Sequence, residues 1–130
     1  MTKLILTSEL KSIQLIESFL YDLQKEYDIS QEKFIDIKLS ILEAVNNAII
    51  HGNQLDAEKK VVISEERKND YLSVQIQDQG EGFDPASLKD PTASENILLP
   101  GGRGVHLMRH LTDELAYKNN GNSVILRFKI

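Results

Sequence analysis

The pattern of hydrophobic and polar residues predicts one long helix over residues 30–53. At about 100° per residue, the hydrophobic side chains of this stretch fall on one broad stripe, as they do on a helix that packs against a core. The stripe consists of Phe34, Ile37, Ile41, Ala44, Val45, Ala48 and Ile49. Ser30 is a residue type that caps helix N-termini, and Gly52 with Asn53 is typical of a helix end. The pattern therefore predicts an amphipathic helix with one side in the core.

The opposite side of this predicted helix carries short polar side chains. Glu43 and Asn47 are spaced i, i+4, so they lie about one turn apart on the same side, with Asn46 and His51 beside them. A solvated helix face is usually built from long charged side chains, and two adjacent asparagines are poor helix formers. The residues of this helix alone are consistent both with a solvated face and with the wall of a pocket.

Hydrophobic periodicity also predicts the remaining elements. Strands are expected at 3–7, 60–68, 71–78, 114–118 and 123–130, and further helices at 8–27, with Ser8 as its cap, and after residues 101–104 as far as about Leu111. The order β, α, α, β, β, loop, α, β, β predicts an α/β (α+β) two-layer sandwich. In this fold class, helices cover one face of a mixed, mostly antiparallel sheet.

Composition narrows the classes of function. The 130 residues suffice for one domain with a real core, so residues 1–130 are predicted to form a single domain. The net charge of -5 and the lack of a Lys/Arg cluster disfavour nucleic acid and anionic membranes as partners. The absence of cysteine excludes thiolate chemistry. No signal peptide or bilayer-spanning stretch is evident, so a cytoplasmic location is expected.

The end of the strand predicted at 71–78 carries a second candidate site. Asp78 is followed by Gly80 and Gly82, and glycines allow a ligand to approach the backbone closely. A carboxylate there can accept a hydrogen bond from the exocyclic amino group of adenine and would repel the carbonyl oxygen of guanine. A hydrogen bond to a charged group contributes about 1.5–3 kcal/mol. The alternative is an ordinary turn that contains an acid.

A third candidate site lies where the glycine-rich residues 101–104 lead into a helix. Exposed N–H groups and the partial positive charge of a helix N-terminus attract phosphate, and Arg103 would add a full charge. The alternative is a flexible hinge. If phosphate binds, the amide oxygen of Asn47 suits Mg²⁺ held jointly with phosphates, and Glu43 suits a general base. Such a base would act on a hydroxyl or water that attacks a terminal phosphate.

The three candidate sites follow one another along the chain. Their sequences are EAVNNAIIHGN (43–53), DQGEGFD (78–84) and GGRGVHLM (101–108). Together they resemble the N box and the first and second glycine boxes of the gyrase/Hsp90/histidine-kinase/MutL ATP-binding superfamily. Within it, the chain resembles the small serine-protein-kinase anti-sigma factors of bacterial partner-switching systems. The resemblance covers nearly the whole chain, and it implies the Bergerat ATP-binding fold with ATP and Mg²⁺ as cofactors.

The resemblance also implies a role for each matching residue. In the N box, Glu43 matches the catalytic glutamate, and Asn47 matches the asparagine that binds Mg²⁺ beside ATP. In the first glycine box, Asp78 matches the aspartate that reads adenine, and Gly80 and Gly82 match its glycines.

On the phosphate side of the implied site, Gly102 and Gly104 match the glycines at the end of the ATP lid, and Arg103 is a candidate phosphate contact. The lid itself would be residues 86–100, which are few and lack a lysine cluster. Ser123 lies where the family often has a threonine near the adenine-side carboxylate, so it is a conservative departure.

By the same resemblance, the activity would be transfer of the ATP γ-phosphate to a serine or threonine of a STAS-type anti-sigma antagonist. A sigma factor would be the alternative partner, and the protein would form a homodimer. One alternative is a nucleotide-binding module that sequesters a partner without kinase activity, which the retention of Glu43 and Asn47 disfavours. The other is the ATP-binding module of a histidine kinase. The chain has no room for a dimerisation helix pair with a phospho-acceptor histidine, and its N box differs from the usual one.

Overall fold

The computed structural model describes residues 2–80, 103–118 and 121–130. The five strands in these ranges are β1 (Thr2–Thr7), β2 (Lys60–Lys68), β3 (Tyr71–Gln77), β4 (Glu114–Lys118) and β5 (Ser123–Lys129). They form one sheet in the order β1-β2-β3-β5-β4, and each pairing in it is antiparallel. The predicted α+β class with a mostly antiparallel sheet is confirmed.

Three α-helices accompany the sheet in the part of the chain that the structure describes. They are α1 (Gln14–Glu26), which follows a 3₁₀ turn at Leu10–Ile13, α2 (Gln31–Asn46), which continues into a π-helical turn at Asn47–Gly52, and α3 (Arg103–Leu111). None of the helices in the described ranges is long and apolar enough to cross a membrane.

The sequence predicted the cap of α2 correctly and the cap of the first helix wrongly. Ser30 caps α2 as expected, because its Oγ accepts a hydrogen bond from the backbone N–H of Lys33 at 3.2 Å. Ser8 does not cap a helix, so that prediction was wrong. It is fully buried, and its hydroxyl donates to the carbonyl of Lys59 at 2.7 Å instead of accepting from a helix N–H group.

The hydrophobic core lies between the helices and one face of the sheet. All seven residues of the hydrophobic stripe predicted for α2 are buried in it. In β3, Leu72, Val74 and Ile76 are buried, whereas the residues between them are partly exposed. Each buried large side chain contributes about 1.5–3 kcal/mol, so this layer supplies much of the stability of the fold. It also fixes α2 across the sheet with its polar side outward.

Candidate active site

The polar side of α2 keeps Glu43 and Asn47 one helical turn apart. The backbone N–H of Asn47 donates to the carbonyl of Glu43, and Asn47 has α-helical backbone angles. Both side chains are half-buried. Within residues 2–80, 103–118 and 121–130, no hydrogen bond or ion pair engages either side chain. Among the described residues, a carboxylate and an amide oxygen on one side of the helix thus have no protein partner.

After Asn47 the helix changes its hydrogen bonding. The N–H of Asn53 donates to the carbonyl of Ala48 at 2.8 Å, five residues earlier, as in a π-helix. Such wide turns are rare and frequently occur at functional sites. The sequence predicted a single regular helix over 30–53, and this final turn departs from it. The wide turn carries the chain from Asn47 to Gly52 on a path that a regular α-helix would not follow.

The wide turn brings Gly52 against the side chain of Asp78. A Cβ atom placed on Gly52 would lie 2.3 Å from Oδ2 of Asp78 and 2.5 Å from its Cγ. No real side chain tolerates such distances, so the carboxylate occupies the space that a side chain at position 52 would need. The structure thus joins two of the three sequence stretches predicted to form the site.

Gly80 completes this close packing. Its N–H donates to Oδ1 of Asp78 at 2.8 Å. A Cβ atom on Gly80 would lie 2.1 Å from the carbonyl oxygen of Gly52, which is a backbone atom and cannot swing away. The turn after β3 and the end of the helix therefore approach each other closely, and position 80 requires glycine because its contact is with backbone.

The carboxylate of Asp78 lies in a largely buried environment. The residue is 9% exposed. Burial raises the pKa of Asp78 above its ordinary value, although the N–H of Gly80 and the positive charge of Lys59 act in the opposite direction. A donor from a ligand would stabilise the charged form, which burial disfavours. An exocyclic amino group has the required chemistry.

Asn53 is a buried residue of this region whose contacts the sequence did not reveal. It is 0% exposed, and its Oδ1 accepts from the N–H of Gln79 at 2.7 Å. Its Nδ2 donates to Ser8 Oγ at 2.7 Å and to the carbonyl of Lys60 at 3.0 Å. No local pattern in the sequence identifies it, because its burial depends on partners such as Gln79 and Ser8 that are distant in sequence.

The structure does not bring Ser123 to Asp78, contrary to the expectation for that residue. The Oγ of Ser123 accepts from Nε2 of Gln75 at 2.8 Å. Ser123 pairs with Gln77 in the β3–β5 ladder, so both side chains lie on the face of the sheet opposite to that of Asp78. Strand alternation thus places the Ser123 hydroxyl away from Asp78, and its role toward ATP stays a prediction.

Asn122 lies where Ser123 was expected. Its carbonyl accepts from the N–H of Asp78 at 2.9 Å, and its Nδ2 donates to the carbonyl of Gly80 at 3.4 Å. Its Oδ1 is buried and has no hydrogen-bond donor among the described residues. The alternation of buried Val124, Leu126 and Phe128 along β5 would have assigned residue 122 to the face that the helices cover.

The phosphate side of the predicted site is described only in part. Arg103 and Gly104 are the first two residues of α3, where backbone N–H groups and the helix dipole favour an anion. This helix packs against α2 and buries Met108 in the core. Gly82, Gly102 and the predicted lid lie outside the described residues.

The comparison with known proteins covers most of the chain. The anti-sigma F factor of Clostridium perfringens (strain SM101 / Type A) is 33% identical over 110 residues, which are 81% of this chain and 79% of that protein. The serine-protein kinase RsbW of Staphylococcus epidermidis is 33% identical over 103 residues, which are 73% of this chain and 65% of that protein. A family model described as the histidine kinase-like ATPase domain matches residues 6–128. The predicted superfamily is confirmed, and the chain belongs to the histidine kinase-like ATPase domain family.

Proposed function

We propose that this chain is an ATP-dependent serine/threonine protein kinase that acts as an anti-sigma factor. Its family is that of an ATPase domain, and its relatives carry the names anti-sigma F factor and serine-protein kinase. The observation that carries the proposal is the contact between Gly52 and Asp78. It joins the carboxylate suited to adenine to the helix that carries Glu43 and Asn47, so recognition and chemistry can act on a single nucleotide.

In this proposal, Asp78 accepts a hydrogen bond from the exocyclic amino group of adenine. Its Oδ1 already accepts from Gly80, and burial raises the pKa of the carboxyl, so a donor from the purine would stabilise the charged form. Gly80 and Gly82 allow the purine to lie close to the backbone. Guanine presents a carbonyl oxygen at the same position and is repelled.

Asn47 is proposed to hold Mg²⁺ together with the phosphates. Its half-buried amide oxygen is a hard ligand, and no group of three His, Cys, Asp or Glu residues that could hold a metal occurs among the described residues. One protein ligand plus phosphate oxygens and waters is the usual way in which proteins bind this ion. When bound, the ion offsets negative charge on the phosphates. Gly102, Arg103 and Gly104 would hold the phosphates from the N-terminal end of α3.

Glu43 is proposed as the general base. Its carboxylate takes the proton from the serine or threonine hydroxyl of the acceptor protein, and the hydroxyl oxygen attacks the γ-phosphorus. The bond from phosphorus to the β–γ bridging oxygen breaks, and ADP leaves. The half-buried position of Glu43, one turn from Asn47, is consistent with both access to solvent and proximity to the phosphates.

The proposed partners are a sigma factor and a STAS-domain anti-sigma antagonist, with the antagonist as phosphate acceptor. The active form is proposed to be a homodimer in the cytoplasm.

The experiment that tests the proposal uses radiolabelled ATP with a purified STAS-domain antagonist. We expect transfer of label by the parent protein. Glu43→Ala should abolish the transfer and retain ATP binding, whereas Glu32→Ala, an exposed glutamate in the first turn of the same helix, should leave both unchanged. Equal loss of binding and transfer in Glu43→Ala would contradict the general-base role. A parent protein that binds ATP and sequesters its partner without transfer would replace the kinase by a binding module.

A further inference from the structure

Asn53 has a buried hydrogen-bonding arrangement that the proposed chemistry does not use. Its carboxamide is fully buried, its oxygen accepts from one N–H group, and its nitrogen donates to two acceptors. Removing one partner from a buried polar group leaves the others desolvated and unpaired, which is unfavourable. The fold therefore commits a polar side chain in its interior to one defined orientation.

The hydrogen bond from Gln79 to Asn53 lies directly beside the contact between Gly52 and Asp78. Gly52 and Asp78 are each followed in the chain by one of the two bonded residues, and the N–H of Gln79 donates to Oδ1 of Asn53 at 2.7 Å. Gly52 and Asp78 are thus each one residue away from the same hydrogen bond. The separation of the two backbones is fixed where the carboxylate is packed.

Two further hydrogen bonds hold the same turn. Oε1 of Gln79 accepts from the N–H of Lys60 at 2.6 Å, and the N–H of Asp78 donates to the carbonyl of Asn122 at 2.9 Å. The backbone of Asp78 is therefore fixed on both sides, by Asn122 before it and by Asn53 after it. A carboxylate that is held in its binding orientation loses less conformational freedom when a ligand binds, so this arrangement should raise affinity for the ligand.

We propose that Asn53 and Gln79 are positioning residues that hold Asp78 in the orientation that binds the purine of ATP. The inference rests on the proposed function, because it takes Asp78 as the acceptor for adenine. Without the hydrogen bond between them, the turn after β3 can separate from the end of the helix, and the carboxylate loses its fixed position. Glu43 and Asn47 precede the wide turn and keep their own helical hydrogen bonds. The effect should therefore fall on ATP affinity and not on the chemical step.

The expected result for Asn53→Ala is a rise in KM for ATP of about five- to tenfold, with kcat at saturating ATP unchanged. Gln79→Ala keeps the backbone N–H that donates to Asn53 and removes only the side-chain acceptor of the Lys60 N–H, so it should raise KM for ATP by a smaller factor. Gln79 is exposed, so this variant keeps the test available if Asn53→Ala does not fold. Ser8→Ala is the matched control, because it removes a buried partner of Asn53 on the side away from Asp78. It should lower the melting temperature and leave KM for ATP unchanged.

A double-mutant cycle separates positioning from general stability. If Asn53 acts through Asp78, Asn53→Ala should add no further rise in KM to the variant Asp78→Asn. Additive effects, a fall in kcat with constant KM, or an equal rise in KM for Ser8→Ala would overturn the inference. If Asp78→Asn itself leaves ATP affinity unchanged, the proposed adenine site fails. If Asp78→Asn weakens ATP binding while neither Asn53→Ala nor Gln79→Ala does, only the positioning role fails.

Discussion

The backbone of Gly52 lies so close to the carboxylate of Asp78 that no side chain can be placed at position 52 without meeting it. The first residue ends the wide turn that follows α2, and the second follows β3. Their contact is the point at which helix and sheet meet in the proposed site.

Gly52→Ala should weaken ATP binding more than it weakens the fold. The added Cβ meets the end of a side chain, so the Asp78 carboxylate can move aside and the backbone need not. We expect KM for ATP to rise about tenfold or more. The free energy of unfolding should fall by about 1 kcal/mol, the low end for a small added group. Steady-state kinetics and thermal unfolding measure the two effects.

His51→Ala and Gly80→Ala complete the comparison with Gly52→Ala. His51 is exposed in the same wide turn, so its substitution should change neither quantity. At Gly80 the added Cβ meets the backbone oxygen of Gly52, so stability and affinity should fall together. An unchanged KM for Gly52→Ala would show that ATP does not depend on this carboxylate.

Asp78→Asn should lower ATP affinity and narrow the preference for ATP over GTP. The substitution keeps the size of the side chain, but it replaces a charged acceptor by a neutral amide that can also donate to a guanine carbonyl. A hydrogen bond to a charged group is worth about 1.5–3 kcal/mol, so the dissociation constant for ATP should rise roughly ten- to a hundredfold. Calorimetry with both nucleotides measures this. Unchanged affinity for ATP would remove Asp78 from the adenine site.

The raised pKa of Asp78 predicts how stability depends on pH. Burial is the main cause of the shift, so the folded protein keeps this proton to a higher pH than the unfolded chain does. The contribution of Asp78 to stability is therefore fully present below the ordinary carboxyl pKa and is lost as pH rises through the raised pKa. Without nucleotide, Asp78→Asn should be more stable than the parent at neutral pH, and this gain should shrink as the pH falls.

Asp113 provides a control of opposite sign for that experiment. The backbone N–H of Lys129 and the side chain of Lys33 lower the pKa of Asp113. Its contribution is present above the ordinary carboxyl pKa and is lost as the pH falls through the lowered value. Asp113→Asn should therefore be less stable than the parent at neutral pH, and the deficit should shrink at acidic pH. Thermal unfolding at neutral and at acidic pH measures both effects. If the melting temperatures of the two variants differed from that of the parent in the same direction, both assignments would be contradicted.

Ser123 and Asn122 should differ in their effect on ATP binding. Ser123→Ala removes an acceptor for Gln75 on the far face of the sheet and should leave KM for ATP unchanged. Asn122→Ala removes a side chain that contacts Gly80 and carries a buried oxygen without a donor among the described residues, so it should alter KM. Kinetics of the two variants side by side decide between the positions. A raised KM for Ser123→Ala alone would restore the original expectation.

Hydrophobic periodicity predicted the helices and strands well, because burial of one face of an element produces a periodic pattern within that element. The hydrophobic stripe of α2 and the alternation in β3 each follow from one face that meets the core, so the residues themselves carry the signal. The strands at Lys60–Lys68 and Glu114–Lys118 have the predicted bounds. The predicted cap at Ser8 failed because its hydroxyl has a partner 51 residues away, which no local pattern reports.

The candidate site was predictable in its residue types and much less in its geometry. The contact between Gly52 and Asp78 joins positions that are distant in sequence, and the hydrogen bond between Asn53 and Gln79 is of the same kind. Both contacts depend on the wide turn, and the helical period of the preceding residues does not predict that turn. The roles of Gly82 and Gly102 stay predictions, since both residues lie outside the described ranges.

Because of the wide turn at Asn47–Gly52, the position of Gly52 depends on the exact number of residues in this segment. Deletion of a single residue from the interior of the wide turn would allow regular α-helical hydrogen bonding there. The same deletion would rotate everything after it by about 100° about the helix axis and turn Gly52 away from the acid it faces. The irregular helix end thus brings Gly52 to Asp78, and a shorter, regular one would separate these two residues of the proposed purine site.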